Sequence, residues 1–429
     1  MEKIVIKGGN ALHGTVGVSG MKNAALPVLF ACILVKDKCV IENVPDVRDV
    51  AVTLEILSKM GAVVRRINKN SVCVDCTHLK GGTSDYELVR KIRASYYLLG
   101  AELGRFHRAH VGMPGGCNFG VRPIDQHIKG FEALGGRVDC GSGYVDVDAT
   151  ESLHGAGIYF DVVSVGATIN IMLSAVLAEG TTTIDNAAKE PHIVDVANFL
   201  NTCGADIRGA GTDMIKINGV SSLHGCSYAI IPDMIEAGTF MACAAVAGGE
   251  IRVQNVIPKH MESITAKMRE MNVEIEEGDD YLIVRSDGNL TPTSLKTLPY
   301  PGFPTDMHPQ MSVLMCRATG ISYVREGVFD NRFRYVEELA RMGARIKVDG
   351  KTAIIEGGVH LTGAKVTSVD LRAGAALIIA ALAATGKTEI TEINRIERGY
   401  DNIVGKLKEL GADIRKMYQP DDASMDIAN

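Results

Sequence analysis

The sequence predicts an α/β protein of six similar units of about 70 residues, three to each of two domains, built around buried helices. Three observations predict it. A phrase of one or two apolar residues, Gly-Ala or a close variant, and a β-branched strand start returns six times. It is centred on Gly61, Gly135, Gly204, Asn272, Gly343 and Gly411, at separations of 74, 69, 68, 71 and 68 residues. A period this regular marks one folding unit used repeatedly. A second glycine recurs as Gly180, Gly249, Gly320 and Gly386, spaced 69, 71 and 66 residues apart, and reads as a helix C-cap. Finally, the stretches 24–35, 169–178, 239–247 and 373–384 are apolar nearly all round, the mark of a buried helix. Each falls well short of the roughly 18–20 residues that cross a bilayer.

Taken in order, the chain opens on a strand at 3–7 and a glycine-containing segment at 14–20, which could pair with the last unit. The chain would then cross between domains near Gly20-Met21-Lys22 and again near residue 230. This gives one domain of units 1–3 over 22–230 and another of units 4–6 over 1–21 plus 231–429. Unit 3 is the clearest: helix 166–177, Gly180, strand 181–184, second helix 193–203, Gly204 and a further strand. Unit 2 departs most from the pattern. Before its second helix it carries Gly112-Met113-Pro114-Gly115-Gly116-Cys117-Asn118-Phe119-Gly120-Val121-Arg122-Pro123, a glycine-rich surface loop of the kind that often bears function.

The net charge of −6, with no basic tract, argues against a nucleic-acid partner. Residues 1–8 lack the apolar core of a signal peptide, and ten irregularly spaced cysteines read as free thiols. Together these suggest an intracellular chain with no membrane partner. Two motifs are set aside. Gly386-Lys387-Thr388 imitates a P-loop end, but the required first glycine is Ala381 and the preceding segment is helical. Cys73 and Cys76 have metal-type spacing without a second ligand pair, so the sequence offers no metal cluster.

Chemistry is sought where regularity fails. Cys117 has Arg122 five residues on, and nearby positive charge keeps a thiol reactive. Lys22-Asn23 opens the first buried helix, where free N–H groups attract anions. Asp306 and Asp370 precede the buried helices of units 5 and 6, where N-capping is the plainer reading. Arg93 opens the first helix of unit 2, and Arg398 the second helix of unit 6. Facing domains would bring Lys22, Arg93 and Arg122 opposite Asp306, Asp370, Arg372 and Arg398, a cleft for an anionic ligand.

Six motifs at these places match one family: 20–27 (Gly-Met-Lys-Asn-Ala-Ala-Leu-Pro), 114–117 with 122–125, 164–168, 303–307, 370–373 and 398–400. The chain closely resembles the UDP-N-acetylglucosamine 1-carboxyvinyltransferase family of enolpyruvyl transferases over nearly its whole length. The resemblance implies an inside-out α/β barrel fold, two domains of three repeats, and domain closure with 112–122 as lid. It implies a cytoplasmic transferase of peptidoglycan synthesis. The enzyme joins the 3′-hydroxyl of UDP-N-acetylglucosamine to C2 of phosphoenolpyruvate and eliminates phosphate from a tetrahedral ketal, without cofactor or metal.

By the same resemblance, Asp306 accepts the hydroxyl proton and Cys117 protonates C3, with Lys22 and Arg398 in the catalytic set. Phosphoenolpyruvate would be held by Lys22, Asn23, Arg122, Asp370, Arg372 and Arg398. The sugar nucleotide would meet Asn23, Arg93, Arg122, Pro123, Ile124, Asp125, Gln126, Val162, Val163, Ser164, Val165, Asp306 and Val328. Three positions depart from the pattern. Val162 stands where some members have lysine, and Met21 and His308 where alanine and glutamine are common. The sister enzyme acting on shikimate 3-phosphate lacks the Pro-Gly-Gly-Cys loop. A paralogue that binds UDP-N-acetylglucosamine without efficient turnover is the alternative from another class.

Overall fold

The structure is a computed structural model, described here for residues 2–81, 86–113 and 124–418. Its repeat is a β-α-β-α-β-β unit, and the units supply six sheets, five of four strands and one of three. In unit 3, strand Gly157–Tyr159 runs parallel to Thr181–Asp185, with helix Val165–Ala175 between them in sequence. Helix Pro191–Thr202 then leads to the antiparallel pair Asp206–Arg208 and Met214–Asn218. This is the α/β repeat architecture that the sequence predicts.

The recurring phrase has one physical cause. In all six copies it ends the outer helix in a Schellman motif. Gly61 donates to the Ser58 carbonyl and Ala62 to that of Leu57, and the same pair of bonds recurs at Gly135, Gly204, Asn272, Gly343 and Gly411. All six residues have positive φ, from 68° at Asn272 to 102° at Gly61, where a residue without Cβ, or asparagine, is least strained. The second glycine series differs from expectation. Gly180, Gly249, Gly320 and Gly386 also have positive φ, but the helices before them are capped by Val176, Gly248, Ala318 and Ala384. These glycines turn the chain into the next strand rather than ending the helix.

Contacts divide the chain into two compact units: Met1–Val18 with Asp233–Leu298 and Gly302–Asn429, and Ser19–Pro232 with Pro299–Pro301. We refer to them as the Asp306 unit and the Lys22 unit. Each holds three sheets. The opening strand Glu2–Lys7 lies between Lys387–Thr391 and Asp413–Tyr418, so it completes the last repeat as expected. The next strand, Leu12–Gly17, instead pairs with Gly249–Gln254 of the fourth repeat. Ser227–Ala229, late in the Lys22 unit, pairs with Lys38–Glu42 of the first. The three-stranded sheet belongs to the second repeat, where the parallel edge strand is missing among the described residues.

In the Asp306 unit, helices Met234–Ala247, His308–Arg317 and Leu371–Ala383 pack on one another and are buried almost throughout. In the Lys22 unit, helix Tyr97–Phe106 approaches Val165–Ala175 so closely that a Cβ on Gly100 would lie 2.3 Å from the Asn170 carbonyl oxygen. The Gly100 N–H donates to Asn170 Oδ1 at 2.8 Å, so the contact is both tight and satisfied. Among the described residues, no helix is long and apolar enough to cross a membrane.

Candidate functional site

In the Lys22 unit, Gly20 has to be glycine, because a Cβ there would meet the Asn43 carbonyl oxygen at 1.6 Å. Met21 donates its N–H to Ile231 at 2.7 Å, which fixes the start of helix Lys22–Ala31. No side chain caps that helix. Lys22 opens it and points its Nζ to Asp49 Oδ2 at 3.1 Å, with the two side chains 12% and 5% exposed. Asp49 was not singled out from the sequence. It lies in the first turn of helix Arg48–Lys59, where an acidic residue has an ordinary explanation in the helix dipole. Asn23 follows on the same helix and is half-buried.

A second cluster gathers most of the expected sugar-nucleotide residues. Ile124 precedes helix Asp125–Ala133, and Gln126 near its start reaches the Asp161 segment. The Gln126 Oε1 accepts from the Asp161 N–H at 3.0 Å, while its Nε2 donates to Asp125 Oδ2 at 2.8 Å. That bond ties 124–126 to 161–165. Ser164 caps helix Val165–Ala175 through Ala167, and Val162 and Val163 stand exposed beside it. Arg93 opens a short 3-10 turn and lies over the Tyr96 ring, which in turn lies near the His127 ring. Burial, with Arg93 adding to it, pushes His127 down to about 4, so this histidine is neutral at ordinary pH. Cys117, Arg122 and Pro123 lie outside the described residues.

In the Asp306 unit, Asp306 lies in the turn Thr305–Met307 that leads into helix His308–Arg317. Neither element has a side-chain cap. Its carboxylate instead receives Arg332 Nη2 on Oδ1 at 2.9 Å, and Arg372 Nε and Nη2 on Oδ2 at 3.2 and 3.1 Å. The arginines are 2% and 3% exposed, whereas Asp306 is 27% exposed. The carboxylate is therefore clamped from within and open on one side. Arg372 also lies against the Tyr400 ring, whose hydroxyl is 2.9 Å from Thr239 Oγ1.

Asp370, by contrast, caps helix Leu371–Ala383, accepting from the N–H groups of Arg372 and Ala373 at 2.9 Å each. Arg398 lies in the turn before helix Ile403–Glu409 rather than opening it, and is half-buried. Val328 is exposed.

Buried Glu326 organises this end of the unit. Its Oε1 accepts from Thr297 Oγ1 at 2.8 Å and from the N–H groups of Val328 and Phe329 at 2.7 and 3.0 Å. Its Oε2 accepts from Thr305 Oγ1 at 2.9 Å. One carboxylate thus fixes the residue before Asp306 together with Val328. His308 is wholly buried beside Phe333 and Tyr335, with Nδ1 3.4 Å from Glu326 Oε2. Burial holds it well below its usual pKa.

Sequence reading missed Glu326 and Arg332. Nothing local separates Arg332 from Arg334, two residues on, because the distinction is burial and the partner is 26 residues away.

The family described as EPSP synthase (3-phosphoshikimate 1-carboxyvinyltransferase) matches residues 6–407. The chain belongs to this family of enolpyruvyl transferases. It is 55% identical to UDP-N-acetylglucosamine 1-carboxyvinyltransferase 3 of Caldanaerobacter subterraneus subsp. tengcongensis, over 98% of this chain and all of that one. It is also 55% identical to UDP-N-acetylglucosamine 1-carboxyvinyltransferase 2 of Clostridium acetobutylicum, over 97% and 99%. Among solved structures, the enolpyruvyl transferase NikO from Streptomyces tendae superposes with a TM-score of 0.89 at 28% identity, covering 98% and 99% of the two chains. An EPSP synthase from Acinetobacter baumannii, at 18% identity and a TM-score of 0.76, shares the fold. The chain is a transferase.

Proposed function

We propose that this enolpyruvyl transferase moves the enolpyruvyl group of phosphoenolpyruvate to the 3′-hydroxyl of UDP-N-acetylglucosamine and releases phosphate, in the cytoplasm, as a step of peptidoglycan synthesis. The observation that supports it most is the end-to-end similarity at 55% identity to enzymes named for that acceptor. The clamped, half-open carboxylate of Asp306 fits it chemically.

In the first step the sugar hydroxyl oxygen bonds to C2 of phosphoenolpyruvate, its proton passes to Asp306, and C3 gains a proton from Cys117. In the second, C3 returns a proton to the Cys117 thiolate, the C2–O bond to phosphate breaks, the vinyl ether forms, and the proton held by Asp306 leaves with phosphate. Lys22, Arg122 and Arg398 hold the phosphate and carboxylate, and Asn23, Arg372 and Asp370 complete the phosphoenolpyruvate set. Arg93, Arg122, Pro123, Ile124, Asp125, Gln126, Val162, Val163, Ser164, Val165 and Val328, with Asn23 and Asp306, serve the sugar nucleotide. Fixed cations suit a reaction whose charge develops on oxygen and phosphate.

The test is phosphate release from phosphoenolpyruvate with each acceptor. Release that requires UDP-N-acetylglucosamine supports the reading; shikimate 3-phosphate acting as the better acceptor overturns it.

A further inference from the structure

Three cysteines far apart in sequence meet inside the Lys22 unit: the Sγ atoms of Cys39, Cys203 and Cys226 all lie within 4.8 Å of one another. The sequence shows no metal spacing here, because the fold rather than a short motif brings them together. Each is carried on fixed backbone. Cys39 is in strand Lys38–Glu42, and Cys203 is the capping residue of helix Pro191–Thr202. Cys226 precedes strand Ser227–Ala229, and its backbone carbonyl accepts the Val40 N–H at 2.8 Å. Cys39 and Cys203 are buried and Cys226 is half-buried, which leaves an approach from its side.

We propose that Cys39, Cys203 and Cys226 form a binding site for a soft, thiophilic d10 cation such as Zn2+. Thiolates at about 2.3 Å from a tetrahedral zinc ion lie about 3.8 Å from one another. Cys203 and Cys226 are 3.4 Å apart and no Sγ separation in the group exceeds 4.8 Å, a range that brackets this spacing. A site for one ion explains three converging thiols, where a disulfide would use only two.

Binding displaces the S–H protons of all three cysteines, and the ion's two positive charges offset most of three thiolate charges. The ion would join the first repeat, through Cys39, to the end of the third, through Cys203 and Cys226. Its consequence is stability of this unit, independent of the proposed reaction.

The test equilibrates metal-free protein with Zn2+ and measures bound metal and melting temperature for the wild-type chain, Cys226→Ser, Cys226→His and, as control, the exposed Cys140→Ser. The wild-type and Cys140→Ser chains should bind about one ion and melt higher as Zn2+ increases, since a ligand of the native state stabilises it by mass action. Cys226→Ser should lose both effects and Cys226→His should recover binding, because imidazole also ligates zinc. Should Cys226→Ser fail to fold, Cd2+ added to the wild-type chain gives the reading directly: thiolate-to-metal ultraviolet absorption is expected. Equal metal binding by wild type and Cys226→Ser, or no Cd2+–thiolate absorption in the wild type, overturns the proposal. So does a Cys203–Cys226 disulfide formed in air by a chain that takes up no metal.

Discussion

The starts of helices Leu371–Ala383 and His308–Arg317 hold equivalent places in the repeat, and each follows an aspartate whose plainest sequence reading is an N-cap. At Asp370 that reading is right: the carboxylate accepts two backbone N–H groups. Asp233 does the same for helix Met234–Ala247. At Asp306 it fails. Here the aspartate sits within an added 3-10 turn, one residue short of the helix N-cap, and the carboxylate turns to Arg332 and Arg372. Two of the three central helices of this unit use their aspartate to satisfy backbone, while the third has an aspartate left for side-chain chemistry. Within a repeat fold, the residue released from its repeated structural task is the stronger candidate for function.

That contrast is broken most severely by removing a cation from beneath Asp306. Arg372→Met should destabilise the protein by about 3–5 kcal/mol, the usual cost of breaking a buried pair; denaturant unfolding reads it. Glu326→Ala comes next, at about 2–3 kcal/mol, because it leaves the buried Thr297 hydroxyl, the half-buried Thr305 hydroxyl and two N–H groups without their acceptor. Glu326→Gln, which keeps an acceptor oxygen, should lose less. Asp370→Ala removes a cap alone and should cost about 0.5–2 kcal/mol in the same assay.

A different kind of effect should appear as a pH slope. Glu102 is buried, and loss of solvation pushes its carboxyl from 4.5 up to about 8. Between those values the folded chain keeps a proton that the unfolded chain gives up, so stability falls as pH rises. The contribution is full below about 4.5 and gone above about 8. Melting temperatures of Glu102→Gln across that range should show a flatter profile than wild type.

Much of this was legible from residues alone. The six-fold period was visible because a Schellman end demands glycine or asparagine at one position and apolar groups beside it, a purely local constraint. The buried helices were visible because they carry no polar face. Apart from the family resemblance, the residues could not separate Asp306 from Asp370, because both precede an apolar helix and differ only in what long-range packing places beside them. Glu326 and Arg332 were hidden for the same reason, and so was the meeting of Cys39 with Cys203 and Cys226. Val328 and Gln126 came only through family resemblance; their neighbours Glu326 and Asp161 show how the fold holds them.

Asp306 is the residue on which the proposed chemistry depends most directly, and the replacement that tests it is asparagine rather than alanine. Alanine would take the Asp306 carboxylate away from buried Arg332 and Arg372, which mixes lost stability with lost chemistry. Turnover, UDP-N-acetylglucosamine affinity and melting temperature should therefore be measured together on Asp306→Asn and Asp370→Asn. The expected result is a turnover lower by roughly 10²-fold or more in Asp306→Asn, the scale for a lost proton acceptor, with sugar-nucleotide binding retained. Its melting temperature should fall less than that of Arg372→Met. Turnover close to wild type in Asp306→Asn would contradict the account.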